Sequence, residues 1–323
     1  IYIEPVDNLT IVGGEGVTVD GITFAGYSQR DAICPANLTL KNINFTGTGV
    51  AINNNDVTGL TIDNCTFSNG AVVKIASTCT VANLTIKNCD FGATGETDKT
   101  SILVQGEATG VLIQDNTITG SVHNAIQITR VAGELTIDGN NISETGSRAI
   151  RISTLEGATL TITSNVVSNA NTNETEAAEN NGEIVKITGV VTEGTFTGNT
   201  YNGDPLSIEN GVGLEVLSAT PDTLANVIVE AHVGSTIQLT AGEYDLSNLR
   251  YVDPVDNLTI VGGEGVTVTG IILAGLNQWN VFCPENLTLK NINFTGTGVA
   301  INNNDVTGLT IDNCTFSNGA VVK

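Results

Sequence analysis

Three stretches decide the fold, because they carry one pattern: LTLKNINF at 38–45, LTIDNCTF at 60–67 and LTIKNCDF at 84–91. Side chains of a β-strand alternate between two faces, so the Leu and Ile of each L-T-I point inward and the Thr points outward. The Asn that follows suits a corner with left-handed backbone, and the Phe after it returns to the interior. Each stretch is therefore interpreted as one edge of a coil.

Looser copies of the pattern start at Leu9, Val111, Leu135 and Leu160, and successive starts from residue 38 onward lie 22 to 27 residues apart. This spacing is typical of one solenoid turn. A second strand recurs in each coil, as GVAIN at 49–53, AVVKI at 71–75, SILVQ at 101–105, NAIQI at 124–128, RAIRI at 148–152 and EIVKI at 183–187. We predict same-direction strands, without helices between them, over residues 3–217. The pattern predicts that seven residues stack on one another in the interior of the solenoid: Leu9, Leu38, Leu60, Leu84, Val111, Leu135 and Leu160.

A longer repeat encloses these coils. Residues 2–74 match 251–323 at 61 of 73 positions, with a period of 249 residues. We expect a β-helix solenoid over 1–217, a cap helix and first strand over 218–250, and the first coils of the next unit over 251–323. Because the chain begins at Ile1 and contains no Met, we expect it to be a piece of a longer precursor.

The segment SATPDTLANVIVEAHVG at 218–234 differs from the coils. Leu224, Val227, Ile228 and Ala231 recur at helical spacing after a Pro-Asp start, which predicts an amphipathic helix over 221–232. The open end of a solenoid exposes unpaired backbone and an apolar core, so this helix is interpreted as a cap.

This order of elements resembles a known superfamily. A short helix, then GSTIQLTAGEYDL at 234–246 and LTIVGGEG from Leu258, is similar to the start of pectate-lyase-like domains. The resemblance implies an all-β fold, a right-handed parallel β-helix. Lyases, hydrolases, epimerases, phage tailspikes and adhesin-like proteins share that fold, so it does not specify function. Tandem copies most resemble adhesin-like surface proteins of bacteria and archaea, which implies an extracellular, cell-surface location.

The charge of the chain limits its partners. A net charge of −22 repels nucleic acid and anionic membranes, and no apolar stretch is long enough to span a bilayer. Calcium is the one cofactor that the acidity suggests, in the loop at 169–182 with Glu174, Glu176 and Glu179. The alternative is that this loop is simply mobile and solvated. The two histidines, His123 and His232, are 109 residues apart, and we expect no metal or acid–base pair from them.

One basic row stands out on the second strands. Lys74, Gln127, Arg151 and Lys186 share an outward position, which Leu103 interrupts, and Arg130, Arg148 and His123 lie close to it. This row predicts either a groove for anionic sugars, in a carbohydrate-binding adhesin or a polysaccharide lyase or hydrolase, or a solvated face. On the second interpretation the charge is balanced by Glu107, Glu134 and Glu156. No pair of Asp residues accompanies the row, which argues against catalysis.

The sequence predicts two stacks of equivalent side chains, one of cysteines inside the coils and one of asparagines at a corner. Cys65 and Cys89 occupy one position in neighbouring coils, as stacked thiols that fill the core or as a disulfide. Asn42, Asn64 and Asn88 share the corner position and are expected to form a ladder of side-chain amides.

These patterns favour a structural role over an enzymatic one. Nearly identical repeat units suit a stalk, filament or sheath, because each added coil lengthens the solenoid. The chain presents two solenoid ends of opposite kind, Ile1 and Tyr2 at one and Val322 and Lys323 at the other. We expect end-to-end fibres, either because copies dock head to tail at these ends or because the repeats continue covalently in a longer chain, with a joint near 203–235. The predicted partners are other copies of the chain and a surface polysaccharide.

Overall fold

The computed structural model describes residues 6–25, 35–95, 100–155, 158–209, 212–231, 233–246, 249, 255–274, 284–302 and 306–323. Contacts divide the chain into two compact units, Ile1–Gly213 and Leu214–Lys323. Both units are parallel β-solenoids, with about 11 turns in total. No helix in the described part of the chain is long and apolar enough to cross a membrane.

Unit 1 is built from short strands, as the tight spacing of the pattern predicts. Its strands are β1 (Thr10–Val12), β2 (Thr18–Ala25), β3 (Thr39–Lys41), β4 (Asn44–Asn53), β5 (Val57–Thr58), β6 (Thr61–Asp63), β7 (Thr66–Phe67), β8 (Val72–Ile75), β9 (Thr80–Ala82), β10 (Thr85–Lys87), β11 (Asp90–Phe91), β12 (Ile102–Val104), β13 (Glu107–Thr109), β14 (Val111–Gln114), β15 (Thr117–Thr119), β16 (Ile126–Val131), β17 (Glu134–Asp138), β18 (Asn141–Ser143), β19 (Ile150–Thr154), β20 (Ala158–Thr163), β21 (Val166–Ser168), β22 (Val185–Thr188), β23 (Val191–Thr195), β24 (Thr200–Tyr201) and β25 (Asp204–Glu209).

The L-T-I strands form one parallel sheet in the order β1-β3-β6-β10-β14-β17-β20-β23. Its register places Thr on Thr and the inward residue on the inward residue, as in Leu40↔Ile62 and Ile62↔Ile86. The second strands stack the same way, β4 on β8 and then β12, β16, β19 and β22. The interior side chains therefore form continuous columns along the solenoid.

Corner residues adopt the left-handed backbone that the sequence predicts. At the position after the first strand, φ is 55° at Asn42, 52° at Asn64, 54° at Asn88, 53° at Asp115 and 65° at Gly139. Asn, Asp and Gly tolerate this region because a short polar side chain, or none, relieves the clash with the backbone. The coil can thus turn sharply without interrupting the ladder of the next strand.

The core of unit 1 is aliphatic with a short aromatic stack. Six of the seven predicted interior residues are buried: Leu38, Leu60, Leu84, Val111, Leu135 and Leu160. The prediction for Leu9 was wrong, because its side chain remains 36% exposed. No strand in the described residues lies on the outer side of β1. Phe67 stacks on Phe45 and Phe91, with ring centroids 5.0 and 4.3 Å apart.

Two features of unit 1 depart from the predicted winding. The strands at its end do not all run in one direction, because β24 pairs antiparallel with β25, and Val212 and Gly213 pair antiparallel with β22. The loop at 169–182 contains a helix, α1 (Glu174–Asn180). Hydrogen bonds tie this loop to a neighbouring coil, including the amide of Asn180, which donates to Ser147 Oγ at 2.9 Å.

Unit 2 contains a helix near its start, and this helix packs on the core of the unit. The elements that lie in it are β26 (Val212–Ala219), which starts just before the unit, α2 (Leu224–Glu230), β27 (Thr236–Leu239), β28 (Gly242–Leu246), β29 (Thr259–Val261), β30 (Val266–Ala274), β31 (Thr288–Lys290), β32 (Asn293–Asn302), β33 (Thr310–Asp312), β34 (Thr315–Phe316) and β35 (Val321–Val322). The helix buries Leu224 and Ile228 in the core of this unit. It is shorter than the predicted 221–232, because the turn at Thr220 and Thr223 precedes it.

Candidate functional site

The predicted basic row is aligned by the pairing of the second strands. Lys74 pairs with Leu103, Leu103 with Gln127, Gln127 with Arg151, and Arg151 with Lys186. Neighbouring strands lie about 4.8 Å apart, so successive side chains of the row are one strand spacing from each other. The sequence thus located this row, including the apolar interruption.

A carboxylate that the sequence interpretation missed pairs with one cation of the row, Lys186, and with Arg148 beside the row. Glu183 Oε2 accepts a hydrogen bond from Arg148 Nε at 2.9 Å, and Glu183 Oε1 lies 2.6 Å from Lys186 Nζ. The expected partner Glu107 does pair, with Arg130 at 3.2 Å. Glu156 lies outside the described residues. Glu183 begins the strand EIVKI, so its spacing of three from Lys186 was the available signal.

Two cations of the row remain without a carboxylate. Lys74 and Arg151 are exposed, and no ion pair joins either of them to any residue that the structure describes. Beside Arg151, Gln127 Oε1 accepts a hydrogen bond from Asn124 Nδ2 at 2.9 Å. The other amide atom, Asn124 Oδ1, is the one buried side-chain polar atom without a partner in the described part of the chain. The row therefore offers exposed positive charge beside amide groups.

A buried ladder continues along the position of the two cysteines. Asn116 donates to Asn140, Asn140 to Asn165 and Asn165 to Asn199, each from Nδ2 to Oδ1 at 2.9 Å. All four are buried. In the sequence these asparagines directly follow the corner residue, as Cys65 and Cys89 do, and this alignment was the overlooked signal.

Cys65 and Cys89 form the first rungs of the same ladder as free, buried thiols. The amide N–H of Cys65 contacts Cys89 Sγ at 3.5 Å, and the amide N–H of Cys89 donates to Asn116 Oδ1 at 2.9 Å. The hydrogen bond with Cys65, together with burial, raises the pKa of Cys89 above its usual range. A thiol thus replaces an amide as the acceptor for the preceding coil.

The corner ladder is shorter than expected. Asn64 Nδ2 donates to Asn42 Oδ1 at 2.8 Å, but Asn88 Nδ2 donates to Asp63 Oδ1 at 3.0 Å. The hydrogen bond from Asn88, with a further contribution from Lys41, lowers the pKa of the Asp63 carboxyl. A neighbouring charge therefore diverts the third amide from the ladder.

The other candidate residues do not converge on a site. His232, Ile1 and Tyr2 lie outside the described residues. Glu174 and Glu179 belong to α1, and in the part of the chain that is described no three His, Cys, Asp or Glu side chains are grouped to hold a metal. Val322 and Lys323 are exposed at the last coil of unit 2.

Comparison with known proteins identifies the family to which this fold belongs. Residues 12–174 match the family model for the right handed beta helix region. The chain belongs to the right-handed beta helix family. No curated protein matches the sequence.

One solved structure aligns with this β-helix over most of the length of both chains. It is a mutant of AlyGC, an alginate lyase of the PL6 family. The alignment covers 97% of this chain and 73% of that one, with 11% identity and a TM-score of 0.22. At this level of similarity it carries no information on activity here.

Proposed function

We propose that this β-helix is a structural, extracellular protein that extends from a cell surface as a stalk, filament or sheath. The observation that carries the proposal is the equivalence of the two copies. Thr259 pairs with Thr288 and Thr288 with Thr310, which is the register of the strands 249 residues earlier. A solenoid whose coils contact only their neighbours gains length by repetition, without a new fold.

End-to-end contact is the mode of assembly that we propose. In the described residues, β1 and β2 have no strand on their outer side, and β33, β34 and β35 have none beyond them. Ile11 in unit 1 and Ile311 in unit 2 occupy the same inward position of the L-T-I pattern. A contact between these two unlike faces is heterologous, so it propagates along an axis instead of closing. The partner in this assembly is another copy of the chain.

Electron microscopy and light scattering over a range of concentrations test the proposal. The wild-type chain is expected to form particles that lengthen with concentration. Ile11→Arg should abolish the lengthening, because it places a charge in the contact, whereas Val190→Arg, at another exposed apolar side chain, should not. Particles of constant size in the wild type, or equal lengthening in both variants, would contradict end-to-end assembly.

The aligned row favours a second function, binding of an anionic polysaccharide on the second-strand face. What supports it is the register of Lys74, Gln127, Arg151 and Lys186. Among the described residues, no carboxylate pairs with Arg151 or Lys74. Binding of polygalacturonate should weaken in Arg151→Ala and should fall with added salt. Release of unsaturated uronide would indicate a lyase. Failure of the wild-type chain to bind polygalacturonate would count against this function.

A further inference from the structure

A second polar site lies at a corner of unit 1, away from the basic row. It is an open groove of about 320 Å³ between the turn after β1 and the corners of the next two coils. Asn42, Asn44, Asn64, Thr66 and Glu15 line it. With Ile43, Gly13 and Gly14 completing the lining, the polar groups of the groove are amides, a hydroxyl and one carboxylate.

Two glycines open this groove. At the corner position of the first coil stands Gly13, where a Cβ would lie 2.2 Å from the carbonyl oxygen of Asn42. No side chain fits there, so the column of corner amides stops at Asn42. Gly14, the next lining residue, adds no side chain either. The corner that would otherwise be filled is left as a cleft.

The lining groups have unused hydrogen-bonding capacity. Asn64 Nδ2 donates to Asn42 Oδ1 at 2.8 Å, which leaves Asn42 Nδ2 and Asn64 Oδ1 without a partner among the described residues. Asn44 Oδ1 accepts a hydrogen bond from Ser68 Oγ at 3.5 Å, and Asn44 Nδ2 has no partner among the described side chains. Asn44 and Thr66 are paired across neighbouring strands, so they lie about 4.8 Å apart along the solenoid. The cleft thus presents both donors and acceptors.

This geometry points to a binding site for a neutral saccharide. A sugar hydroxyl donates and accepts at once, which matches amide donors, amide acceptors and a hydroxyl at short intervals. Glu15 can accept from further hydroxyls, and it disfavours a carboxylate or phosphate ligand by repulsion. The lining contains no cationic side chain. The ligand class therefore differs from the anionic polymer proposed for the basic row.

The second copy carries the same groups. Gly262 stands at the corner before Asn291, where a Cβ would lie 2.4 Å from the Asn291 carbonyl oxygen. Asn313 Nδ2 donates to Asn291 Oδ1 at 2.8 Å, as in the first copy. In this copy Asn293 Oδ1 accepts hydrogen bonds from Thr315 Oγ1 at 2.9 Å and from Ser317 Oγ at 3.3 Å, so the site that we infer is the groove of the first copy. This inference does not depend on end-to-end assembly.

Saturation-transfer NMR on the full chain tests the site. The probes are the methyl glycosides of glucose, galactose, mannose and N-acetylglucosamine, with glucuronic acid as the charged comparison. At least one neutral glycoside should receive saturation, and glucuronic acid should receive less. Asn44→Ala combined with Asn293→Ala should weaken binding by roughly three- to tenfold, the effect of one or two lost hydrogen bonds.

Two controls make the result decisive. Asn88→Ala changes a corner amide outside the groove and should bind like the wild type, as should Arg151→Ala in the basic row. Circular dichroism checks that each variant is folded. Absence of saturation transfer to all four neutral glycosides would overturn the inference, and so would unchanged binding in the double variant. Light scattering on the same samples reports assembly separately.

Discussion

The stretch LTIVGGEGVTV occurs at residues 9–19 and again at 258–268, and most of its apolar side chains are exposed in the first copy and buried in the second. Ile11 is 38% exposed, whereas the equivalent Ile260 is fully buried. The local strands are the same. The difference is β27, which pairs with β29 and sets Ile237 against Ile260, while no described strand pairs with the outer side of β1.

At the C-terminal end of the repeated sequence, the apolar side chains are buried in the first copy and exposed in the second. Phe67 and Val73 are fully buried in the first copy, but their equivalents Phe316 and Val322 are 37% and 51% exposed. In the first copy β10, β11 and β12 follow these residues and cover them. Burial in this fold is therefore a property of the neighbouring coil. The same amino acid is core or surface according to what is stacked on it.

The largest expected effect comes from charging the same residue in both copies. Ile260→Asp places a carboxylate among buried side chains without a partner, and should lower the free energy of unfolding of unit 2 by on the order of 4 kcal/mol. Ile11→Asp should cost under about 1 kcal/mol, as at most surface positions. Chemical denaturation gives both values. Equal losses in the two variants would refute the neighbour-coil explanation.

The buried and exposed amide ladders should also differ. Asn140→Leu leaves the amide N–H of Asn116 without its acceptor inside the core, which should cost about 3 kcal/mol. Asn64→Gly keeps the left-handed corner and removes one exposed hydrogen bond, so a few tenths of a kcal/mol are expected. Thermal and urea unfolding check both. If Asn140→Leu is neutral, the buried ladder does not stabilise the stack.

A smaller effect is expected where the basic row is neutralised. Arg148→Ala removes two hydrogen bonds to Glu183 and leaves a mostly buried carboxylate with only Lys186, at a cost of about 2 kcal/mol. Glu183→Gln in the same background should recover part of the loss, because the uncompensated charge is gone. Absence of recovery would indicate that Arg148 acts by packing alone.

The smallest effect is expected at the exposed part of the same row. Arg151 forms no ion pair with any residue that the structure describes, so Arg151→Ala should change the free energy of unfolding by less than about 0.5 kcal/mol. The variant is therefore suitable for binding experiments. A loss comparable to that of Arg148→Ala would show that Arg151 has a structural partner.

The sequence predicted the fold in detail where one residue type performs one task. The L-T-I strands, the left-handed corners at Asn42 and Asn64, and the register of the basic row all follow from alternation and backbone preference. Leu9 was mispredicted because its burial depends on a neighbouring strand, and no described strand stacks on the outer side of β1. The antiparallel pairing of β24 and β25 likewise depends on how the chain turns back, which has no periodic signal.

The candidate sites were only partly predictable. Cys65 and Cys89 drew attention as a chemical pair, while the asparagines that continue their column looked like ordinary turn residues. Glu183 was visible in the strand sequence, but the three-residue spacing that brings it to Lys186 is not an alternating one. The corner groove depends on Gly13, and a missing side chain leaves no pattern to detect.

Hydrogen exchange followed by mass spectrometry tests end-to-end assembly most directly. The two copies are distinguishable in peptides 9–20 and 258–269, because Asp20 stands where the second copy has Thr269. In dilute protein, the first peptide should exchange fast and the second slowly. At high concentration the first peptide should become protected, because contact covers its face, while the exchange of peptide 258–269 should not change. If peptide 9–20 exchanges equally fast at every concentration, the coil faces do not meet and end-to-end assembly is wrong.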